Sequence, residues 1–138
     1  MMKRSHKVCI GVALAATLLA GGCAALHADG MWLVRTTIDR FNPLASRHTV
    51  YAPAPGSQEC IEVYDDATGS GKNYVYKMRG VTDEGSEREC FFVSFGSPME
   101  VPEPYVEIAA VGSYAQTVRP KTKAEVPGSL REPLARIQ

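Results

Sequence analysis

The chain has 138 residues, 45% of them hydrophobic and 22% charged, with 15 Lys+Arg balanced by 15 Asp+Glu. That length and composition suit one folded domain with its own core, leave no room for a second, and exclude wholesale disorder. The balanced charge provides no basic surplus of the kind that marks a nucleic-acid binder.

Before Asp29 the Lys and Arg residues are Lys3, Arg4 and Lys7, and residues 8–20 form an apolar run without acid or base. A basic segment ahead of a short apolar one is the pattern of a secretory signal. The ~13 apolar residues fall short of the ~20 that a bilayer-spanning helix needs. A helical signal is therefore predicted over 1–22. It ends in Leu18-Leu19-Ala20-Gly21-Gly22-Cys23, which resembles a bacterial lipobox. On that pattern Cys23 is lipidated and becomes the first residue of the mature chain, tied to the outer face of the cell membrane. The alternatives are an ordinary signal-peptidase cut after 24–25 or near 27–29, which gives a secreted protein, and an uncleaved anchor. Cleavage before Cys23 removes three of the 15 basic residues, so twelve face 15 acids and the exported part is slightly acidic.

Residues 23–36 are predicted as a tether and 37–138 as the folded domain. Met31-Trp32-Leu33-Val34 is the cohesive apolar cluster of the tether, with Trp32 either packed on the domain or resting at lipid headgroups. Asn42-Pro43 predicts a docked turn anchored by Phe41 and Leu44. Residues 48–52 are β-prone and stop at Pro53, a first strand, and 59–64 alternate as a short extra strand or a continuation. Residues 65–72 carry turn chemistry.

The element with the strongest signal is 73–95, two β-rich runs joined by Asp83-Glu84-Gly85. With Gly85 supplying a positive φ, Thr82 faces Ser86 and the register of the whole hairpin follows. Tyr74, Tyr76 and Met78 then oppose Ser94, Phe92 and Cys90 on an apolar face. Val75, Lys77, Arg79 and Val81 oppose Val93, Phe91, Glu89 and Glu87 on a half-solvated face that carries an Arg79/Glu89 pair. Three prolines over 98–104 predict a connecting loop. Strands follow at 105–111 and 114–119 around a Gly112-Ser113 turn. A short C-terminal helix is expected from about Ser129, with Pro133 in its first turn and Leu130, Leu134 and Ile137 on one stripe docked against a barrel end.

Catalytic and metal-site patterns are poorly served by this sequence. His6 falls in the signal and His27 in the tether, leaving His48 as the imidazole of the domain, where it reads as a surface or turn residue. One histidine builds neither a triad of the usual kind nor a His-rich zinc site. Asp65-Asp66-Ala67-Thr68-Gly69 lacks the alternating ligands and closing Glu of a calcium loop, and Gly69-Ser70-Gly71-Lys72 lacks the spacing and the following Ser/Thr of a phosphate loop. No cofactor or metal is expected. Cys60 and Cys90 remain in the exported domain, and an oxidising compartment makes them candidates for a disulfide, with two buried thiols as the alternative.

Asp39-Arg40-Phe41-Asn42-Pro43-Leu44, Tyr74-Val75-Tyr76 through Gly80, Asp83-Glu84-Gly85 with the aromatic strand to Phe95, Tyr105-Val106-Glu107-Ile108, and Glu125-Val126-Pro127 with Leu130 together resemble the YxeA-like family of small exported or lipid-anchored bacterial proteins. The resemblance implies a mainly β fold, an OB-like antiparallel barrel of about five strands, with no assigned activity. The expected function is a non-catalytic binding or envelope-associated module, with Tyr74, Tyr76 and Tyr105 as ligand-facing candidates beside their ordinary role as core or rim residues. A secreted factor that contacts an envelope protein or peptide, through a strand edge near Val118, is the second expectation. An enzyme that these patterns miss is the third.

Overall fold

The computed structural model describes residues 31–137. The predicted signal and Cys23 lie outside the described residues. The chain divides into two units, residues 1–35 and residues 36–138, and the described strands belong to the second. In order, the described elements are helix α1 (Trp32–Phe41), strands β1 (Arg47–Pro53), β2 (Cys60–Asp65), β3 (Lys72–Thr82), β4 (Glu87–Phe95), β5 (Tyr105–Val111) and β6 (Tyr114–Lys121), and helix α2 (Gly128–Ala135).

The sheet runs β1-β5-β6-β4-β3-β2, and β1 also pairs with β3. Five strands thereby close into a barrel and β2 is left outside as an extra strand. Strand β3 makes this possible by changing partner along one edge. It pairs with β2 over Lys72 to Tyr76 and with β1 at Val81 and Thr82, while β4 holds its other edge throughout.

The hairpin register is the predicted one, from Asn73 opposite Phe95 to Val81 opposite Glu87. Gly85 has φ of 90°, and Thr82 N–H donates to Ser86 O at 2.8 Å. The ion pairs, however, run diagonally, Arg79 to Glu87 at 3.0 Å and Lys77 to Glu89 at 3.4 Å. A twisted ladder brings long side chains nearer to the diagonal neighbour than to the one directly across. The second face is also drier than its alternation suggested, since Val75, Val81 and Phe91 are buried.

The barrel interior is filled by Val50 and Ala52 of β1, Tyr76 and Met78 of β3, Cys90 of β4, Val106, Ile108 and Ala110 of β5, and Ala115 of β6. Met99 and Val101 of the proline-rich loop pack against this core from one side, and Met99 N–H donates to the Tyr76 hydroxyl at 2.9 Å. The loop is therefore fixed against the core, and β4 and β6 pair at Phe91 and Tyr114.

Helix α2 does not sit on a barrel end. Leu130 and Leu134 pack with Val126 on Val81, beside Tyr51, Tyr105 and Ile137, so the helix covers the outer side of the seam where β1 meets β3. Pro133 lies inside the helix, beyond its first turn. Two buried leucines on one stripe hold so short a helix where propensity would not.

Expectations for residues 37–44 need correction. The chain is helical through Phe41, and the Asn42-Pro43 turn leaves Phe41 and Leu44 exposed, so neither is an anchor. Aromatic and leucine side chains beside a turn suggested burial, but the element they sit on turns its other side inward.

Gly80 is the tightest point of the barrel. A Cβ there would strike the Tyr51 carbonyl oxygen and come within 2.7 Å of Val50 Cγ1 and 2.9 Å of Ala52 Cβ, because β1 crosses β3 at this residue. Gly80→Ala is expected to destabilise the domain by about 2–3 kcal/mol in urea unfolding. Gly128→Ala, whose Cβ meets nothing within 4 Å, should change stability by less than about 0.5 kcal/mol. Equal effects of the two substitutions would refute the crossing as the constraint.

Candidate functional site

The open cleft of the domain lies at the foot of β1 and the tip of the β3–β4 hairpin. It encloses about 110 Å³ and is lined by Ser46, Arg47 and His48 on one side and Thr82, Asp83, Glu84, Ser86 and Arg88 on the other. Backbone geometry fixes both walls. Asp83 N–H donates to Thr49 O at 3.2 Å, Ser86 N–H to the Thr82 hydroxyl at 3.1 Å, and Gly112 N–H to Ser46 O at 3.0 Å. Two guanidinium groups, two carboxylates, hydroxyls and an imidazole thus meet in one concave surface. His48 Nε2 is buried and has no hydrogen-bond partner among the described residues. The volume is below the ~300–1,000 Å³ of drug-sized sites and suits a small polar group.

The sequence reads His48 as a surface or turn residue and Asp83-Glu84-Gly85 as a hairpin turn. That reading misses the cleft because Ser46 to His48 and Thr82 to Arg88 are distant in the chain and only the β1–β3 crossing joins them. The pairing of a β-prone run starting at Arg47-His48 with an acidic hairpin tip was the available signal.

The three tyrosines singled out from sequence do not converge. Tyr76 is buried in the barrel with its hydroxyl taken up by Met99 N–H, Tyr74 is half-buried against the same core, and Tyr105 packs with the α2 cluster on the outer side. A fourth tyrosine, Tyr51, donates to Glu107 Oε2 at 3.3 Å, and Glu107 also faces Lys121 at 3.6 Å and Arg119 at 4.0 Å. Burial, then the Glu107 charge and hydrogen bond, raise the Tyr51 pKa, so its hydroxyl stays protonated and acts as a donor.

The disulfide expected between Cys60 and Cys90 is absent, and both residues are thiols. Cys60 stands opposite Tyr76 on one edge of β3 and Cys90 opposite Met78 on the other. Two interstrand spacings of ~4.8 Å and a two-residue stagger hold their Cα atoms beyond the ~4.4–6.8 Å that a bridge requires. Cys90 did reach the predicted side, in the core, and Cys60 packs against the same core. Face was legible in the alternation; the intervening strand was not.

The acidic loop at 65–72 is a self-satisfied turn. The Asp66 carboxylate accepts from Thr68 N–H at 2.9 Å and from the Thr68 hydroxyl at 2.7 Å, and Gly69 has φ of 71°. The Thr68 hydroxyl, followed by backbone N–H groups, lowers the Asp66 pKa. Among the described residues no group of three or more His, Cys, Asp or Glu side chains could hold a metal ion.

A mainly β protein built on a closed five-strand barrel, with one extra strand and a short C-terminal helix, is the class that this architecture defines. No protein-family model matches the chain, and no curated protein matches it. Among solved structures it is similar to a crystal structure of a DUF1093 family protein from Bacillus subtilis, at 22% identity and a TM-score of 0.47, over 69% of this chain and 98% of that one.

The strand geometry makes a thiol prediction. In the exported chain carrying Cys23→Ser, two thiols should react with a colorimetric reagent after denaturation without reductant. In the native protein Cys60 should react well before buried Cys90. A denatured sample with no reactive thiol would show that the cysteines are bridged.

Proposed function

We propose that the chain is a lipid-anchored, extracytoplasmic β-barrel of the YxeA-like kind, a binding module of the cell envelope without a catalytic centre. The observation that carries this is Gly21-Gly22-Cys23 directly behind a basic and then apolar segment, with the folded unit starting a short tether later. Cys23→Ser should move the protein out of the membrane fraction or leave an unprocessed precursor, read by fractionation and by intact mass. Unchanged fractionation together with unchanged mass would overturn the anchor.

Binding is assigned to the cleft between Ser46–His48 and Thr82–Arg88. Arg47 and Arg88 supply donors for an anionic group, and Asp83 and Glu84 supply acceptors for a cationic one, so the ligand class is a small polar molecule bearing both charges. Phosphoethanolamine serves as the probe. In an NMR titration it should shift the amides of His48, Thr82 and Ser86, and Arg88→Ala should weaken its affinity about tenfold, the loss of one charge-assisted contact. No shift at millimolar probe, or an unaltered affinity in the variant, refutes the assignment.

A protein or peptide partner is the second reading, favoured by β2. Among the described residues its outer edge has no neighbouring strand, and Ile61 and Val63 are exposed on it. The other edge expected from sequence lies near Val118 on β6, where the Val118 side chain itself is half-buried against the core.

A further inference from the structure

Helices of a water-exposed domain ordinarily place their apolar stripe inward and their polar residues outward. Helix α1 departs from this over most of its length. Its inward side carries Trp32 and Thr36, both buried, and Asp39, whose carboxylate accepts from Ser113 N–H at 2.7 Å and from the Ser113 hydroxyl at 2.6 Å. Gly112 leaves room for that carboxylate, since a Cβ there would lie 2.5 Å from Asp39 Cγ. Arg40 stacks over the Tyr114 ring at 5.4 Å. These contacts fix the rotation of the helix about its axis. On the other side Ile38 is 48% exposed, Phe41 74% and Leu44 90%, and Leu33 and Val34 in the first turn are exposed as well.

Apolar side chains exposed singly are ordinary, but this group lies on one helix and the turn after it. Residues 34, 38 and 41 recur at helical spacing. The turn is itself held, with Asn42 N–H bonded to Ile38 O at 2.9 Å and Leu44 N–H to Asn42 Oδ1 at 2.9 Å, so Leu44 extends the stripe rather than straying from it.

We infer that Ile38, Phe41 and Leu44 rest in the headgroup region of a phospholipid bilayer and set the orientation of the barrel on the membrane. This rests on the anchored reading for its reach. Cys23 and Trp32 are nine residues apart, so the tether spans at most ~30 Å even when extended, and α1 is the first described element after it. Charge agrees with the assignment. Arg40 adjoins the stripe and Arg47 opens β1 just beyond the turn, a pair of guanidinium groups at the level of lipid phosphates. The one acid of the helix is turned away toward Ser113. Trp32, one of the two placements left open by the sequence, is buried and takes no part.

The test uses the mature chain, residues 23–138, carrying Cys23→Ser so that no lipid contributes, with vesicles of phosphatidylethanolamine and phosphatidylglycerol in a co-sedimentation assay. Measurable binding is expected, with at least a tenfold drop in partition coefficient for the Ile38→Ser, Phe41→Ser, Leu44→Ser triple variant. Leu33→Ser with Val34→Ser should lower it further. Because the three substituted side chains are exposed, circular dichroism and thermal midpoint should stay unchanged, which separates lost binding from lost folding. Absent vesicle binding, or equal binding by parent and triple variant, overturns the inference. So does a dimer in sedimentation equilibrium that the triple variant dissolves, since the stripe would then cover a second copy. The anchor is scored separately by the mass of the native N-terminus. Vesicle binding without lipidation leaves this inference standing and the anchor refuted, and lipidation without vesicle binding does the reverse.

Discussion

The barrel depends on the passage of β1 over β3 at Gly80. One long strand has to serve β2 at its start and β1 at its end along the same edge, and it can do so only if it bends and lets another backbone lie against it. A residue without a side chain at the crossing meets that demand. Once β1 is seated there, Val50 and Ala52 enter the interior opposite Val106 and Ile108, and the outer surfaces of Tyr51 and Val81 are left side by side. The C-terminal helix then has an apolar seam to cover. The last element of the chain is therefore placed by a strand crossing made far upstream of it.

The same crossing sets where chemistry can gather. It brings the start of β1 against the tip of the β3–β4 hairpin, and charged residues from both ends line a small cleft. At the tyrosine-bearing part of the core the opposite holds. The proline-rich loop is fixed to Tyr76 and packs Met99 and Val101 against the core, so the aromatic residues there support packing.

The Asp39 to Ser113 contact shows how one buried hydrogen-bonding site can orient an element. A half-buried carboxylate with two donors is well held, because charge-assisted hydrogen bonds are stronger than neutral ones. It ties α1 to the β5–β6 turn and decides which side of the helix meets solvent. The apolar side chains on the outer face follow from that choice. Intrinsic hydrophobicity would have turned them inward had the helix been free to rotate.

Local pattern alone determined a good deal of this protein. Alternation over 73–95 with Asp83-Glu84-Gly85 between the runs fixes the hairpin, its register and the face of Cys90, because the period of a strand and the φ of one turn glycine leave a single consistent pairing. Strands at 48–52 and 105–111, the turn at Gly112-Ser113 and a C-terminal helix were legible for the same reason. Which strand stands beside which was decided only in three dimensions. Cys60 and Cys90 share a face yet have β3 between them, His48 and Arg88 line one cleft, and Phe41 and Leu44 look outward because Asp39 found Ser113. Each outcome depends on contacts between residues far apart in sequence, whose free energy exists only when the barrel is closed. No periodicity within a single segment encodes it.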